Sequence, residues 1–179
     1  MMKLICKLTD NDIGEDYTGV KNPTIRLGAR GIVIRDDGKI AIFNKVNKNE
    51  YKLPGGGIEE GEKPQDAFKR EVLEETGCIV DIIEELGTTE EYKSKLNFKQ
   101  ISNVFYGKVV EDTKKLNFTK KEKDEGAELL WVKPQEALEL ITNCYDILKE
   151  SSYETVYATK FVVLRDRIIL DYFIDRFAK

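Results

Sequence analysis

The chain has 179 residues, of which 41% are hydrophobic and 35% are charged, and this suits one globular domain. Its net charge of −4 argues against a dedicated nucleic-acid-binding protein, because such proteins usually carry a basic surplus. Histidine is absent, which excludes Ser-His and Cys-His catalysis and imidazole metal ligands. Cys6, Cys78 and Cys144 form no CxxC pair, so a bound metal ion would be held by oxygen atoms.

The first 57 residues predict short strands rather than helices. The β-branched segments 29–35 and 39–46 flank the turn sequence Asp-Asp-Gly, so together they predict a β-hairpin. A strand at 4–8 precedes them. Another strand, at 51–53, ends before a proline and three consecutive glycines at 55–57, which are expected to form a loop.

A helix is predicted directly after this glycine run, over residues 64–76. Pro64 suits the first helical turn, where its missing N–H leaves no hydrogen bond unmade. Gly77 suits the position just past the helix end, and good helix formers lie between the two.

The rest of the chain predicts three more strands and two more helices. Strands are expected within 78–92, within 98–110 and at 128–132, and a short helix at 134–141. The highly charged segment 119–126 is expected to be a loop.

The last helix has the longest periodic pattern. Ser151 and Glu154 fit a capping box at its start. Apolar side chains then recur at helical spacing and predict a stripe packed on the core; they are Phe161, Leu164, Ile168, Tyr172 and Phe173.

Three glutamates share one face of the predicted helix 64–76. Glu71, Glu74 and Glu75 stand at i, i+3 and i+4, where like charges repel each other. A divalent cation resolves this repulsion, because hard cations bind several carboxylate and carbonyl oxygens at once. The preceding glycines have no Cβ atoms, so backbone there can approach a metal ion or a phosphate.

These residues resemble the Nudix box. The pattern is Gly, five residues, Glu, seven residues, Arg-Glu, an aliphatic residue, any residue, Glu-Glu, any residue, Gly and an aliphatic residue. Only Cys78 departs from it, and a buried thiol is itself a small hydrophobic group. The matching positions are Gly56, Glu62, Arg70, Glu71, Val72, Glu74, Glu75, Gly77 and Cys78.

The resemblance implies an α+β fold, an α/β/α sandwich around a mixed β-sheet, with an additional C-terminal helix. We expect a single domain over residues 1–179. An N-terminal strand and connection would occupy 1–24, the core 25–145 and the C-terminal helix 151–178.

The resemblance also implies hydrolysis of the diphosphate in a nucleoside diphosphate linked to another moiety, such as a (d)NTP or a nucleotide derivative, with Mg²⁺ or Mn²⁺. Glu71, Glu74 and Glu75 would be catalytic and would hold the metal together with the carbonyl of Gly55. One of the three, or a loop carboxylate, would act as general base. Glu62 and Arg70 would form an ion pair with a structural role within the box.

In many members of the Nudix family, which this chain resembles, a loop before the last strand supplies a further metal ligand or general base. Glu125 is the candidate here, with Glu122, Asp124 and Glu128 as competitors.

Substrate contacts are assigned more sparsely. Gly55, Gly56 and Arg30 are predicted to bind substrate, and Arg26 could also reach a phosphate. The aromatic residues that could stack on a base fit core packing better; they are Phe98, Phe105, Tyr106 and Trp131.

Two other functions stay open. A non-catalytic nucleotide-binding or sensing module usually lacks box glutamates, and none is lacking here. RNA processing would favour a basic, aromatic-rich extension, which is absent. We therefore expect a small-molecule nucleotide substrate and no nucleic-acid partner. Neither a signal peptide nor a membrane-spanning run is present, so we expect a cytoplasmic protein. A homodimer is possible.

Overall fold

A computed structural model describes residues 2–178; the predicted domain also includes Met1 and Lys179, which lie outside the described residues. Within that range eight strands form one sheet, with four α-helices around it. The strands are β1 Leu4–Leu8, β2 Thr24–Ile34, β3 Ile40–Lys45, β4 Glu50–Lys52, β5 Gly55–Gly57, β6 Cys78–Lys93, β7 Phe98–Asp112 and β8 Ala127–Val132. The helices are α1 Pro64–Thr76, α2 Lys120–Asp124, α3 Pro134–Cys144 and α4 Val156–Phe177.

The sheet is mixed, as predicted. Its main order is β1-β6-β7-β2-β3-β4, while β5 pairs with β2 and β8 pairs with β3. The β1–β6 and β2–β7 pairs are parallel, and the other pairs are antiparallel. β2 is therefore central, held by β7 on one side and by the short β5 on the other.

Helices cover both faces of this sheet. On β2, Ala29 and Val33 face a core formed with Phe68 and Val72 of α1. Ile32, which points the other way, belongs to a second core formed with α3 and α4. This alternation follows from the two-residue side-chain period of a strand. The predicted α/β/α sandwich with an additional C-terminal helix is confirmed.

Helix α1 begins and ends where predicted. Pro64 is its first residue, and Gly77 follows its last turn with φ +70° while donating its N–H to the carbonyl of Leu73. A left-handed residue at this position is a common helix stop, and glycine adopts it without strain.

Three local predictions need correction. The predicted hairpin joins β2 and β3 at a single residue pair, Ile34 and Ile40, because the middle of β2 pairs with β5 instead. The glycine run 55–57, predicted to be a loop, is this fifth strand. The charged segment 119–126 contains α2, whose first turn is held by a capping box between Thr119 and Glu122.

Helix α4 begins later than predicted. The Ser151 hydroxyl accepts the N–H of Glu154, as in a cap, but the helix starts at Val156 with Thr155 as its N-cap. The Glu154 carboxylate instead lies 2.7 Å from the ammonium of Lys48. That tertiary ion pair holds Glu154 in the segment before the helix.

The predicted stripe of α4 is partly confirmed. Phe161 and Phe173 are buried, while its other members are partly exposed. Arg165 and Asp166 are also fully buried, which apolar periodicity does not predict. Among the described residues no helix is both long and apolar enough to cross a membrane.

Candidate active site

A cavity of about 630 Å³ opens where β2, β5 and β7 meet helices α1, α2 and α4. The helix face that carries the three glutamates lines it, and so do the three glycines of β5. The structure thus brings together Glu71, Glu74, Glu75, Gly55 and Gly56, as the sequence predicts. The packing of α1 against β2 and β5 sets this arrangement.

Glu75 is the most buried of the three glutamates, with 2% of its surface exposed. Its carboxylate accepts the backbone N–H of Gly55 at 2.8 Å. The ammonium of Lys52 lies 3.5 Å from the same carboxylate and 3.3 Å from the carbonyl oxygen of Gly55. One cation of the chain therefore already occupies the space between two predicted metal ligands.

Burial raises the pKa of Glu75 to about 7, against the opposing effect of Lys52 and with a further contribution from the charge of Glu71. Burial and the charge of Glu71 also raise the pKa of Glu74. The carboxylates of Glu74 and Glu75 thus hold their protons more tightly than isolated glutamates do, because both are partly or fully buried and lie near other negative charges.

The pKa of Glu75 has a consequence for stability. Since its pKa is raised from 4.5 to about 7 in the folded state, the free energy of unfolding in EDTA should fall as the pH rises through that window. Glu75→Gln should remove this loss, on the order of 3 kcal/mol, and be the more stable protein at pH 8. Urea unfolding of both proteins at pH 5 and pH 8 tests the prediction, and parallel pH profiles would contradict it.

Arg70 organises the loop before α1. Its guanidinium donates two hydrogen bonds to Glu62, at 2.8 and 2.9 Å, and another to the carbonyl of Gly57 at 2.9 Å. These hydrogen bonds lower the pKa of Glu62 to about 2. Arg70 also donates to Glu71 at 2.9 Å and lies 3.7 Å from Glu74. The geometry supports a structural role for Glu62 and Arg70.

Two glycines of β5 are required by close contacts. A Cβ at Gly56 would lie 2.4 to 2.7 Å from the carboxylate atoms of Glu71. Gly55 has φ +142°, and its Cβ would lie 2.4 Å from the carbonyl oxygen of Ala29. Only glycine lets this strand fit between β2 and the acidic face of α1.

The donors around the cavity suit a divalent metal ion. Within residues 2–178 no three Asp, Glu, His or Cys side chains already converge on one metal position. Each glutamate of the face instead meets Arg70 or Lys52. The available ligands are nevertheless all oxygens. Burial, with a smaller contribution from the charge of Glu71, raises the pKa of Glu74 and of Glu75, and a divalent cation would stabilise their charged forms.

The loop carboxylates are separated by the structure. Glu125 is 1% exposed, lies 2.7 Å from the ammonium of Lys45 and accepts the hydroxyl of Ser151 at 2.7 Å. Although burial opposes it, these hydrogen bonds lower the pKa of Glu125. Glu122 lines the cavity, whereas Glu125 is not part of the lining.

The other two competitors point elsewhere. Asp124 contacts Lys120 and Tyr153, each at 2.6 Å, and Glu128 accepts a hydrogen bond of 3.4 Å from Asn44. Neither belongs to the cavity lining.

One of the four aromatic candidates reaches the cavity, namely Phe98. Phe105 packs on Phe68, with ring centroids 5.2 Å apart, and Tyr106 packs on Phe173 at 5.0 Å. Trp131 lies under the guanidinium of Arg35.

Both predicted arginines line the cavity. Arg30 is 5% exposed and donates through Nε to the hydroxyl of Ser102, while Arg26 is exposed. Several further lining residues were not predicted from the sequence, among them Lys93, Gln100 and Arg165. Polar residues at alternate positions of β7, Gln100 and Ser102, could have signalled a functional surface on that strand.

Comparison with known proteins agrees with this geometry. The NUDIX domain family model matches residues 24–150. Nudix hydrolase 25 of Arabidopsis thaliana is 30% identical over 163 residues, covering 80% of this chain and 90% of that protein. An RNA pyrophosphohydrolase of Xanthomonas campestris pv. campestris (strain B100) is 34% identical over 58 residues, which are 32% of this chain and 28% of that protein.

A solved structure shows the same fold. The NUDIX hydrolase from Nitrosomonas europaea superposes with a TM-score of 0.55 and 18% identity, covering 83% of this chain and 95% of that chain. Divalent metal ions are general in this family. The box is complete, the family model matches residues 24–150, and the similarity to Nudix hydrolase 25 covers 90% of that protein. This chain is therefore a member of the Nudix hydrolase family.

Proposed function

We propose that this protein is a metal-dependent pyrophosphohydrolase that cleaves the phosphoanhydride of a (d)NTP or another nucleotide derivative. The main observation in support is that Glu71, Glu74 and Glu75 line the same cavity as the glycine strand β5. A second support is the pKa of Glu75, which burial beside the cavity raises and to which the charge of Glu71 contributes, because strongly shifted groups cluster at functional sites.

In the proposed site, Mg²⁺ or Mn²⁺ would be held by Glu71, Glu74 and Glu75 and by the carbonyl oxygen of Gly55. Such ions neutralise the diphosphate and lower the pKa of bound water. The protein's own contribution is orientation: the N–H of Gly55 holds Glu75, and Arg70 holds Glu71. Lys52 would leave the Gly55 carbonyl for a substrate phosphate, because both positions border the same cavity.

We further propose that the loop carboxylate is Glu122 rather than Glu125. Glu122 faces the cavity, and its charge contributes to raising the pKa of both Glu74 and Glu75. Glu125 instead neutralises a buried lysine. It belongs to an ion cluster formed with Lys45, Lys48, Glu50 and Glu154.

Replacing each glutamate by glutamine should therefore affect a different property: turnover for Glu122 and stability for Glu125. Glu122→Gln keeps the capping box and should lower kcat about 10- to 100-fold with little change in stability. Glu125→Gln leaves Lys45 short of a charge partner and should lower the free energy of unfolding by about 2–4 kcal/mol. Initial rates and urea unfolding on both variants test this. A stable Glu125→Gln protein with low turnover would return the role to Glu125.

The function itself is tested by release of phosphate or pyrophosphate from a panel of nucleotides with Mg²⁺, with Mn²⁺ and with EDTA. The panel contains (d)NTPs, 8-oxo-dGTP, ADP-ribose, NADH, nucleotide sugars and diadenosine polyphosphates. We expect metal-dependent cleavage of one class. Metal binding without turnover on the whole panel would favour the non-catalytic nucleotide-binding or sensing module.

A second candidate is suggested by the RNA pyrophosphohydrolase relatives, which are similar over 58 residues. The chain spans little more than a quarter of such a protein, so RNA pyrophosphohydrolase activity is the second candidate rather than the first. Adding 5′-triphosphorylated RNA to the panel tests it. The net charge of −4 weakens the case for RNA, because binding to a phosphate backbone favours a basic surface.

We also propose that residues 1–179 act as one domain, since α4 supplies cavity-lining residues from beyond the matched segment. The three cysteines are free thiols, which fits the reducing cytoplasm as the proposed location. A homodimer stays a prediction, to be checked by sedimentation of the purified protein.

A further inference from the structure

The wall of the cavity formed by strands β2, β6 and β7 and helix α4 is cationic. Arg30, Lys93 and Arg165 line it, each with 6% or less of its surface exposed. Their buried counter-charges are Glu91, which lies 2.9 Å from Arg165 and 3.4 Å from Lys93, and Asp166, 2.8 Å from Arg165. Three buried cations therefore share two carboxylates.

Two donors on this wall have no acceptor among the described residues. They are Nη2 of Arg165 and Nε2 of Gln100, on side chains 2% and 4% exposed. A buried donor without an acceptor is costly, and such groups in native proteins call for an explanation. Both residues line the cavity, so a ligand there can satisfy them.

Gly28 lies close to Nε2 of Gln100 and to Nη2 of Arg30. A Cβ at Gly28 would lie 2.8 Å from Nε2 of Gln100 and 3.2 Å from Nη2 of Arg30. Gln100 is also the strand neighbour of Glu91 on one side and of Arg26 on the other. Arg30, Gln100 and Arg165 all line the cavity, and the part of it that they border is called the gap.

The charge balance indicates what the gap accepts. Burial and the neighbouring charge of Arg165 lower the pKa of Arg30 to about 10. Burial likewise lowers the pKa of Lys93, although Glu91 opposes this. A site with surplus positive charge and free N–H donors favours an anionic oxygen group.

We propose that this cationic wall binds a second phosphoryl group of the substrate, one that is not part of the phosphoanhydride cut beside the glutamates. The inference rests on the proposed function and narrows its substrate to nucleotide derivatives with a phosphate remote from the scissile bond. Arg165 lies in α4, outside the matched residues 24–150, so this contact is an addition of this chain to the family domain.

Calorimetric titration with inorganic pyrophosphate in EDTA tests the wall without the metal site. Wild type should bind, and Gln100→Glu should bind about tenfold more weakly or not at all, because its carboxylate occupies the gap itself. Gln65→Glu, the same change at an exposed position of α1, is the matched control and should bind as wild type does. If Gln100→Glu does not fold, Arg26→Gln at the exposed rim should weaken binding several-fold.

The outcomes separate this inference from the proposed function, because no turnover is measured. Absence of pyrophosphate binding to wild type, or equal binding to Gln100→Glu, would overturn the phosphoryl assignment. A parallel titration with adenosine and guanosine distinguishes a phosphate from the acceptor edge of a base. Nucleoside binding that Gln100→Glu abolishes would also overturn it.

Discussion

Glu74→Gln is expected to lower metal-dependent turnover by about two to four orders of magnitude, because it removes one charged oxygen from the proposed metal site. The fold should be unaffected. The Glu74 side chain is 34% exposed, and burial and Glu71 raise its pKa, so loss of its charge relieves repulsion. The measurements are kcat with saturating Mg²⁺ and the urea midpoint.

Glu60→Gln is the matched control for this variant. Glu60 is an exposed glutamate of the loop before α1 and is not part of the cavity lining. The control makes the same chemical change and should leave kcat within about twofold of wild type. A near-normal rate for Glu74→Gln with Mg²⁺ would remove Glu74 from the metal site.

Gly31→Ala is expected to have the largest effect on stability. A Cβ at Gly31 would lie 1.8 Å from the carbonyl oxygen of Phe105, its partner on β7. β2 cannot move away easily, because Gly31 also donates its N–H to the carbonyl of Pro54. We expect a loss of about 3–5 kcal/mol in the free energy of unfolding, measured by urea denaturation.

Gly38→Ala is the control that separates the steric clash at Gly31 from the general effect of replacing a glycine by alanine. Gly38 has φ +78° and nothing within 4 Å of its would-be Cβ. Its substitution should therefore cost only the backbone strain, about 1 kcal/mol. Similar losses for the two variants would show that β2 and β7 can separate to admit the methyl group.

Features of the site that depend on local sequence were predicted correctly. The ends of α1 follow from Pro64 and Gly77, whose backbone preferences act within one or two residues. The shared face of Glu71, Glu74 and Glu75 follows from helical periodicity alone. The resemblance to the Nudix box adds the fold, which the structure and its solved neighbour confirm.

Features that depend on distant partners were not predictable in this way. β5 is a strand because Gly55–Gly57 pairs with Gly28–Arg30 of β2. Glu154, predicted to belong to the capping box of α4, instead pairs with Lys48, which is 106 residues away in the sequence. Glu125 pairs with Lys45 and does not line the cavity, a placement that its position in the sequence before the last strand does not predict.

The amino-acid sequence alone therefore determined the reaction class and the acidic helix, because its motif spans a single loop and helix whose geometry is local. Only the tertiary structure decided which loop carboxylate and which cations line the cavity. Arg165 enters the site from α4, and Lys93 and Gln100 enter from strands β6 and β7. Their convergence arises from long-range strand pairing and helix packing, which no local pattern of residues encodes.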